Sequence, residues 1–217
     1  LIRLFTARFR LGEIDGISSW DNLADSLLEG EQHRALARKM AQESMVLLQN
    51  KGGILPLKGS EKIALIGPNA DNAQMQLGNY EGTPEKITTL KDALSRRVPS
   101  LVCFEACGHV QEDLPPGEIL SRLEGMDIVV FAGGISPKLE GEEMPVQIPG
   151  FAGGDRTSIE LPGVQRKLLA ALKDAGKKVI FINFSGCAIA LEPETSSCEA
   201  ILQAWYPGQE DGFTAGS

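Results

Sequence analysis

Histidine is almost missing from this chain of 217 residues: there are two, His33 in a helical run and His109 in a turn, too few to build a zinc site. Cysteine is nearly as scarce. Cys103, Cys107, Cys187 and Cys198 show no CxxC or other metal-type spacing and read as free thiols, buried by default. Cys107 has His109 two residues on but no third residue to orient that base. No metal and no other cofactor is expected. Phosphate loops are lacking too: the run GPNADNAQMQLGNYEG after the first strand contains neither GxGxxG nor GK[ST]. Pro68 also removes an amide that a phosphate nest would use. Around Ser185 the sequence INFSGCA lacks the flanking glycines of a hydrolase nucleophile elbow. Positive charge is in deficit: 21 Lys and Arg against 29 Asp and Glu give a net charge of −8. That balance sets aside nucleic acid and anionic membranes as partners and favours neutral or cationic ligands. No apolar run approaches the length of a bilayer crossing, and LIRLFTARFRLG at the start is too charged for a secretory core.

What is present alternates. Leu1, Leu4, Phe5 and Phe9 fall at helical spacing, Arg8 and Arg10 supply a basic last turn and Gly12 a stop. Residues 13–30 are polar and irregular, a linker with Trp20 as its anchor. The span 31–50 carries Ala35, Leu36, Met40, Val46 and Leu47 without Gly or Pro, and predicts one long helix ending at Asn50. Beyond it, short apolar runs at 62–67, 101–105, 127–131, 178–184 and 199–205 predict strands. Helices at 89–97, 118–124 and 164–175 fit between them, helped by a Thr cap at the first and Pro162 ahead of the last. Near-continuous apolar strands alternating with helices imply an α/β fold: a mostly parallel sheet sandwiched between helices. The chain opens without Met in mid-pattern and stops just after a turn-rich loop, so it is expected to be a piece of a longer protein.

One stretch stands apart, residues 132–160 after the third strand. Glu140, Glu142 and Glu143 crowd into four positions, followed by a span rich in Gly and Pro and then Asp155-Arg156. Two readings are open. Such a loop is ordinarily a solvated acidic surface. Crowded carboxylates also raise the proton affinity of the least solvated one, which suits a general acid. Position favours chemistry, because sites of α/β sheets lie at the carboxyl ends of strands and a long loop in a compact domain is commonly functional. Six glycines, Gly133, Gly134, Gly141, Gly150, Gly153 and Gly154, make ordering the loop costly, so it is expected to depend on a docked neighbour. Asn69 and Asp71 read either as turn residues or, for Asn69 with Asn79 and Tyr80, as hydrogen-bonding groups for a polar ligand. Trp205 and Tyr206 read either as core or as a platform for a sugar ring.

Taken together, LFTARFRLGEID, ARKMAQESMVLLQNKGGILPLK, KIALIGPNAD, LGNYEG, LEGEEM with GGDRTSIELPG, and AWYPGQEDG resemble, in order, signatures of glycoside hydrolase family 3. The resemblance implies residues 1–12 as the last helix of a (β/α)8 barrel of the same chain, 13–30 as linker and 31–217 as the family's α/β sandwich domain. It implies a retaining, exo-acting β-glycosidase for β-linked oligosaccharides or glycosides, exported to the periplasm or outside. A xylan 1,4-β-xylosidase comes first, with a β-glucosidase of the same family or a non-catalytic carbohydrate-binding or structural domain as alternatives. A barrel Asp would be nucleophile. By position Glu142 matches the acid/base, with Glu140 and Glu143 next, because MPVQIPGFAGG intervenes before Asp155-Arg156. Asn79, Tyr80, Asp155 and Arg156 would contact the sugar. Retaining chemistry needs two carboxyl groups roughly 5 Å apart, and this chain carries one of them, so alone it is expected to be inactive.

Overall fold

The computed structural model describes residues 1–16, 18, 22–79, 81–141 and 143–209. Trp20, Tyr80 and Glu142 lie outside the described residues. The chain divides into two compact units, Leu1–Ala35 and Leu36–Ser217. In the first, α1 (Ile2–Arg10) has the anticipated basic last turn, and Arg8 Nε donates to Glu13 Oε2 at 2.7 Å. Its apolar residues Leu4, Phe5 and Phe9 are exposed.

The helix read over 31–50 is shorter than its periodicity suggests: α2 (Glu31–Ser44) stops at Ser44, whose hydroxyl donates back to Ala41 O. Val46–Asn50 is instead a strand, β1. Helical spacing of Val46 and Leu47 is real, but β-branched and apolar residues in succession also suit an edge strand, and pairing decided the outcome.

The second unit is built on the expected sheet. Its remaining strands are β2 (Ile63–Ile66), β3 (Val102–Phe104), β4 (Ile128–Gly134), β8 (Lys178–Phe184) and β9 (Ala200–Gln203). Between β4 and β8 lie three two-residue strands, β5 (Gln147–Ile148), β6 (Phe151–Ala152) and β7 (Asp155–Arg156). The large sheet has the order β1-β9-β8-β4-β2-β3, parallel throughout except for β1, which pairs antiparallel to β9. Successive parallel connections run outward from β2 to β3, then cross back to β4. The chain therefore changes direction between β2 and β4, and a crevice opens at the carboxyl ends there.

Alternation along each strand sorts side chains to two cores. Ile66, Val129, Phe131, Val179, Phe181 and Ile201 face one side, against Ile119 of α5 (Pro116–Arg122), Leu168, Leu169 and Leu172 of α6 (Gly163–Asp174), and Leu191 and Cys198 flanking α7 (Glu192–Ser197). Ile63, Leu65, Ile128, Val130, Ile180 and Ile182 face the other, against Met75 of α3 (Ala73–Gln76) and Leu90 of α4 (Leu90–Ser95). The Thr cap of α4 is a full capping box, Thr89 with Asp92. All four cysteines are free, Cys107 and Cys198 buried and the other two half-buried.

Candidate functional site

Four loops leave the carboxyl ends of β2, β4, β8 and β9 side by side, and one residue of the acidic stretch gathers them. The Glu140 carboxylate oxygen Oε1 accepts from the Gly186 amide at 2.5 Å, just beyond β8, and from the Tyr206 hydroxyl at 2.5 Å, just beyond β9. Asn79, on the loop after β2, donates its side-chain amide to Glu140 O at 3.1 Å. The Tyr206 ring lies between Gly78 and Gly186, close enough that a Cβ on Gly186 would come within 3.0 Å of it. Burial, followed by the neighbouring Glu140, pushes the Tyr206 phenol well up, so it stays a donor. Burial and then Glu140 likewise raise the Cys187 thiol.

Behind Glu140 the loop is folded rather than open. β5, β6 and β7 form a small antiparallel sheet, and Met144 N donates to Gly153 O at 2.9 Å. Arg156 secures it: Nε donates to Ser158 O and Nη2 to Glu160 O, each at 2.9 Å, Nη1 reaches Cys187 Sγ at 3.5 Å, and the guanidinium sits 5.0 Å over the Phe151 ring. Pairing and this fork offset part of the entropy that the glycines cost, and residues 147–156 form a ribbon. Asp155 and Glu143 are exposed, and Glu143 takes a φ of 51°.

Under the loop the exit of β4 is locked by a buried amide network. Asn69, 2% exposed, donates to Gly133 O at 3.0 Å and Ile135 O at 3.2 Å, while its Oδ1 lies 2.8 Å from His109 Nε2. Both hydrogens of the Asn69 amide are spent, so His109 must carry its proton on Nε2 and donate it. Gln165, fully buried, accepts from Gly134 N at 2.8 Å and donates to Gly134 O at 2.6 Å and His109 O at 2.8 Å. Of the two readings of Asn69, these contacts fit the structural one. Asp71 is held by Lys91 at 2.6 Å and Thr89 at 3.0 Å, the Lys91 contact keeping its carboxyl below the usual range. A cavity of about 580 Å³ opens beside the network in the crevice between the β2 and β4 ends, lined by Asn72, Asn79, Glu105, His109, Lys138 and Met144 among others. Trp205 is spent elsewhere: its indole N–H donates to Ser44 O at 3.0 Å.

Burial drives the His109 imidazole down from 6.5 to about 4. The folded state then binds fewer protons than the unfolded state in that window. Stability from the neutral ring is complete above pH 6.5 and is lost as pH falls towards 4, by at most about 3 kcal/mol. Urea unfolding followed across that range should show this slope, and His109→Gln should remove it; an unchanged slope would place the titration elsewhere.

Glu140, Asn79 and Arg156 therefore meet in one bonded cluster, whereas Glu143 and Asp155 face solvent. Reading the chain missed the Tyr206–Glu140–Gly186 contacts and the Gln165 network, since nothing local marks partners so distant. The ordered appearance of LGNYEG, LEGEEM and AWYPG was the available signal.

The chain has relatives among known proteins. The chain is 32% identical to a xylan 1,4-beta-xylosidase of Xylanibacter ruminicola, over 98% of this chain and 42% of that protein. It is 30% identical to a beta-xylosidase of Formosa agariphila, over 97% of this chain and 29% of that protein. The crystal structure of a beta-glucosidase from Listeria innocua superimposes with a TM-score of 0.83 at 26% identity, covering 98% of this chain and 28% of that one. The chain thus spans less than half the length of the relatives it matches. Residues 45–215 match the glycosyl hydrolase family 3 C-terminal domain, and the chain belongs to that family.

Proposed function

We propose that this chain is the C-terminal portion of a retaining, exo-acting β-glycosidase, a xylan 1,4-β-xylosidase, and that it supplies the general acid/base, Glu142, to a barrel that supplies the nucleophilic Asp. The observation that carries the reading is the placement of the acidic run: Glu140 is pinned at the carboxyl ends of four adjacent strands, and Glu142 follows it by two residues. In the first half-reaction the protonated acid gives its proton to the leaving glycosidic oxygen while the nucleophile bonds to the anomeric carbon. In the second it takes a proton from the water that displaces the enzyme. Glu143, exposed beside it, is the next choice. Asn79, Tyr80, Asp155 and Arg156 are the proposed polar contacts of the sugar; one N–H of the Asn79 amide is used on Glu140 O, which leaves its Oδ1 and second N–H for a sugar hydroxyl. The exposed apolar residues of α1 support its assignment to the barrel. Xylose is preferred to glucose because the sequence relatives named above are xylosidases; the likeness to the Listeria enzyme favours glucose as the second reading.

A mechanism-based 2-deoxy-2-fluoroxyloside, which acylal-links to the nucleophile and is released slowly, tests the division of labour. Full-length protein should gain one sugar mass, and the label should map to a peptide outside residues 1–217. The isolated chain should neither be labelled nor hydrolyse aryl β-xylosides. Label on a peptide of this chain would overturn the proposal.

A further inference from the structure

We infer that Glu140 is a positioning residue: through Tyr206, Gly186 and Asn79 it fixes the acidic loop to the strand ends, and the geometry of the neighbouring proton donor depends on it. This rests on the reading of Glu142 as acid/base. One oxygen, Glu140 Oε1, holds two donors at once, each at 2.5 Å, and both come from neighbouring strand exits rather than from its own loop. The main-chain oxygen of the same residue is held by a third exit loop through Asn79. Glu140 is thus the point where the loops after β2, β8 and β9 are bound to the loop after β4. The Tyr206 ring is packed between Gly78 and Gly186, so the phenol cannot follow Glu140 if that side chain swings away. Arg156 extends the same cluster, reaching Cys187 Sγ at 3.5 Å, so the ribbon that follows Glu143 is tied to the β8 exit as well. A carboxyl engaged in this way works as an acceptor in its present position. A proton donor must instead present its O–H to the glycosidic oxygen.

The two roles separate cleanly by substitution, because glutamine keeps an acceptor oxygen but cannot serve as a carboxylic acid. In the full-length protein acting on xylobiose, Glu140→Gln should stay within about fivefold of the parent kcat, whereas Glu140→Ala should lose about 100-fold, with KM little changed. Tyr206→Phe, which keeps the ring and deletes one hydrogen bond to a charged group, should lose about tenfold. The double variant Glu140→Ala/Tyr206→Phe should be no worse than Glu140→Ala, since both break one contact. The alkaline limb of the kcat/KM profile should persist in all of these and vanish in Glu142→Gln. Should Glu140→Ala fold poorly, as judged by its thermal transition, Tyr206→Phe carries the test. Glu140→Gln as damaging as Glu140→Ala, with the alkaline limb gone, would make Glu140 the proton donor and overturn the inference. Full kcat in both Glu140→Ala and Tyr206→Phe would overturn it too. Turnover and alkaline limb retained in Glu142→Gln would instead remove the acid/base assignment, leaving the comparison of Gln with Ala at position 140 to decide the positioning role.

Discussion

Glu142→Gln in the full-length protein should lower kcat/KM for xylobiose by about a thousandfold, and for an aryl β-xyloside with a strongly acidic phenol by about tenfold or less. The difference follows from what the proton does. A sugar alkoxide is a poor leaving group and needs the proton almost fully transferred in the transition state, whereas a nitrophenolate leaves without it. The second half-reaction is slowed for both substrates, because the same side chain must then act as base. Aryl xyloside hydrolysis by the variant should therefore show a burst followed by a slow steady state and an apparently lowered KM. Azide should restore the steady state, since it attacks the glycosyl-enzyme without needing a base, and the product should be a β-xylosyl azide. Equal losses of kcat/KM on both substrate classes would mark Glu142 as a structural residue. A carbohydrate-binding module would behave differently again: the isolated chain would bind xylose directly, and no substitution in the acidic run would separate the two substrates.

If Glu142 is the proton donor, its placement at strand ends gives it a rigid support. Loops at the carboxyl edge of a parallel sheet stand on backbone that is paired on both sides, so a side chain there is held by the rigid layer below it. Here Phe131, Phe181 and Phe184 beneath the edge are essentially fully buried. Asn69 and Gln165 then fix the exit of β4 with four hydrogen bonds to the main chain of Gly133, Gly134 and Ile135, and Gln165 ties that exit to His109 O with one more. The acidic loop starts from a fixed point, and Glu140 gives it a second one.

Much of this was legible from residue order. β-Branched and apolar runs placed all five parallel strands, and the Thr89 cap and Pro162 marked helix starts, because these signals act within a few residues. Pairing partners were not legible. β1 carries the same apolar residues a helix would, and only its match to β9, more than 150 residues on, makes it a strand. Glu140 read as one of three crowded carboxylates, ranked behind Glu142; Gly186 and Tyr206 single it out from 46 and 66 positions away. The Asn69 amide is another such case, since its acceptors sit 64 and 66 residues on. Glycine content argued for a loop that is costly to order; two-residue strands and one Arg fork offset part of that cost, because hydrogen bonds within a ribbon close short loops at small entropic cost.

Gly134→Ala should be strongly destabilising, costing about 4 kcal/mol or more and leaving little folded protein at 37 °C. Gly134 is the last residue of β4, at φ 101°, a region that L side chains rarely enter. A Cβ there would lie 2.1 Å from Phe184 O and 2.7 Å from Phe184 N, both main-chain atoms of β8. Neither can rotate aside, so β4 and β8 would have to part where Ile135 N donates to Phe184 O at 2.8 Å. Parting them also strains both Gln165 contacts to Gly134, and losing them would leave that fully buried amide with only its bond to His109 O. Gly125→Ala is the matched control: it has φ 76° but open space around the added methyl, and should cost only about 1–2 kcal/mol. Urea unfolding of the two variants measures the difference. If they fell within 1 kcal/mol of each other, the strand ends would be free to separate, and the rigid platform under the acidic loop would not exist.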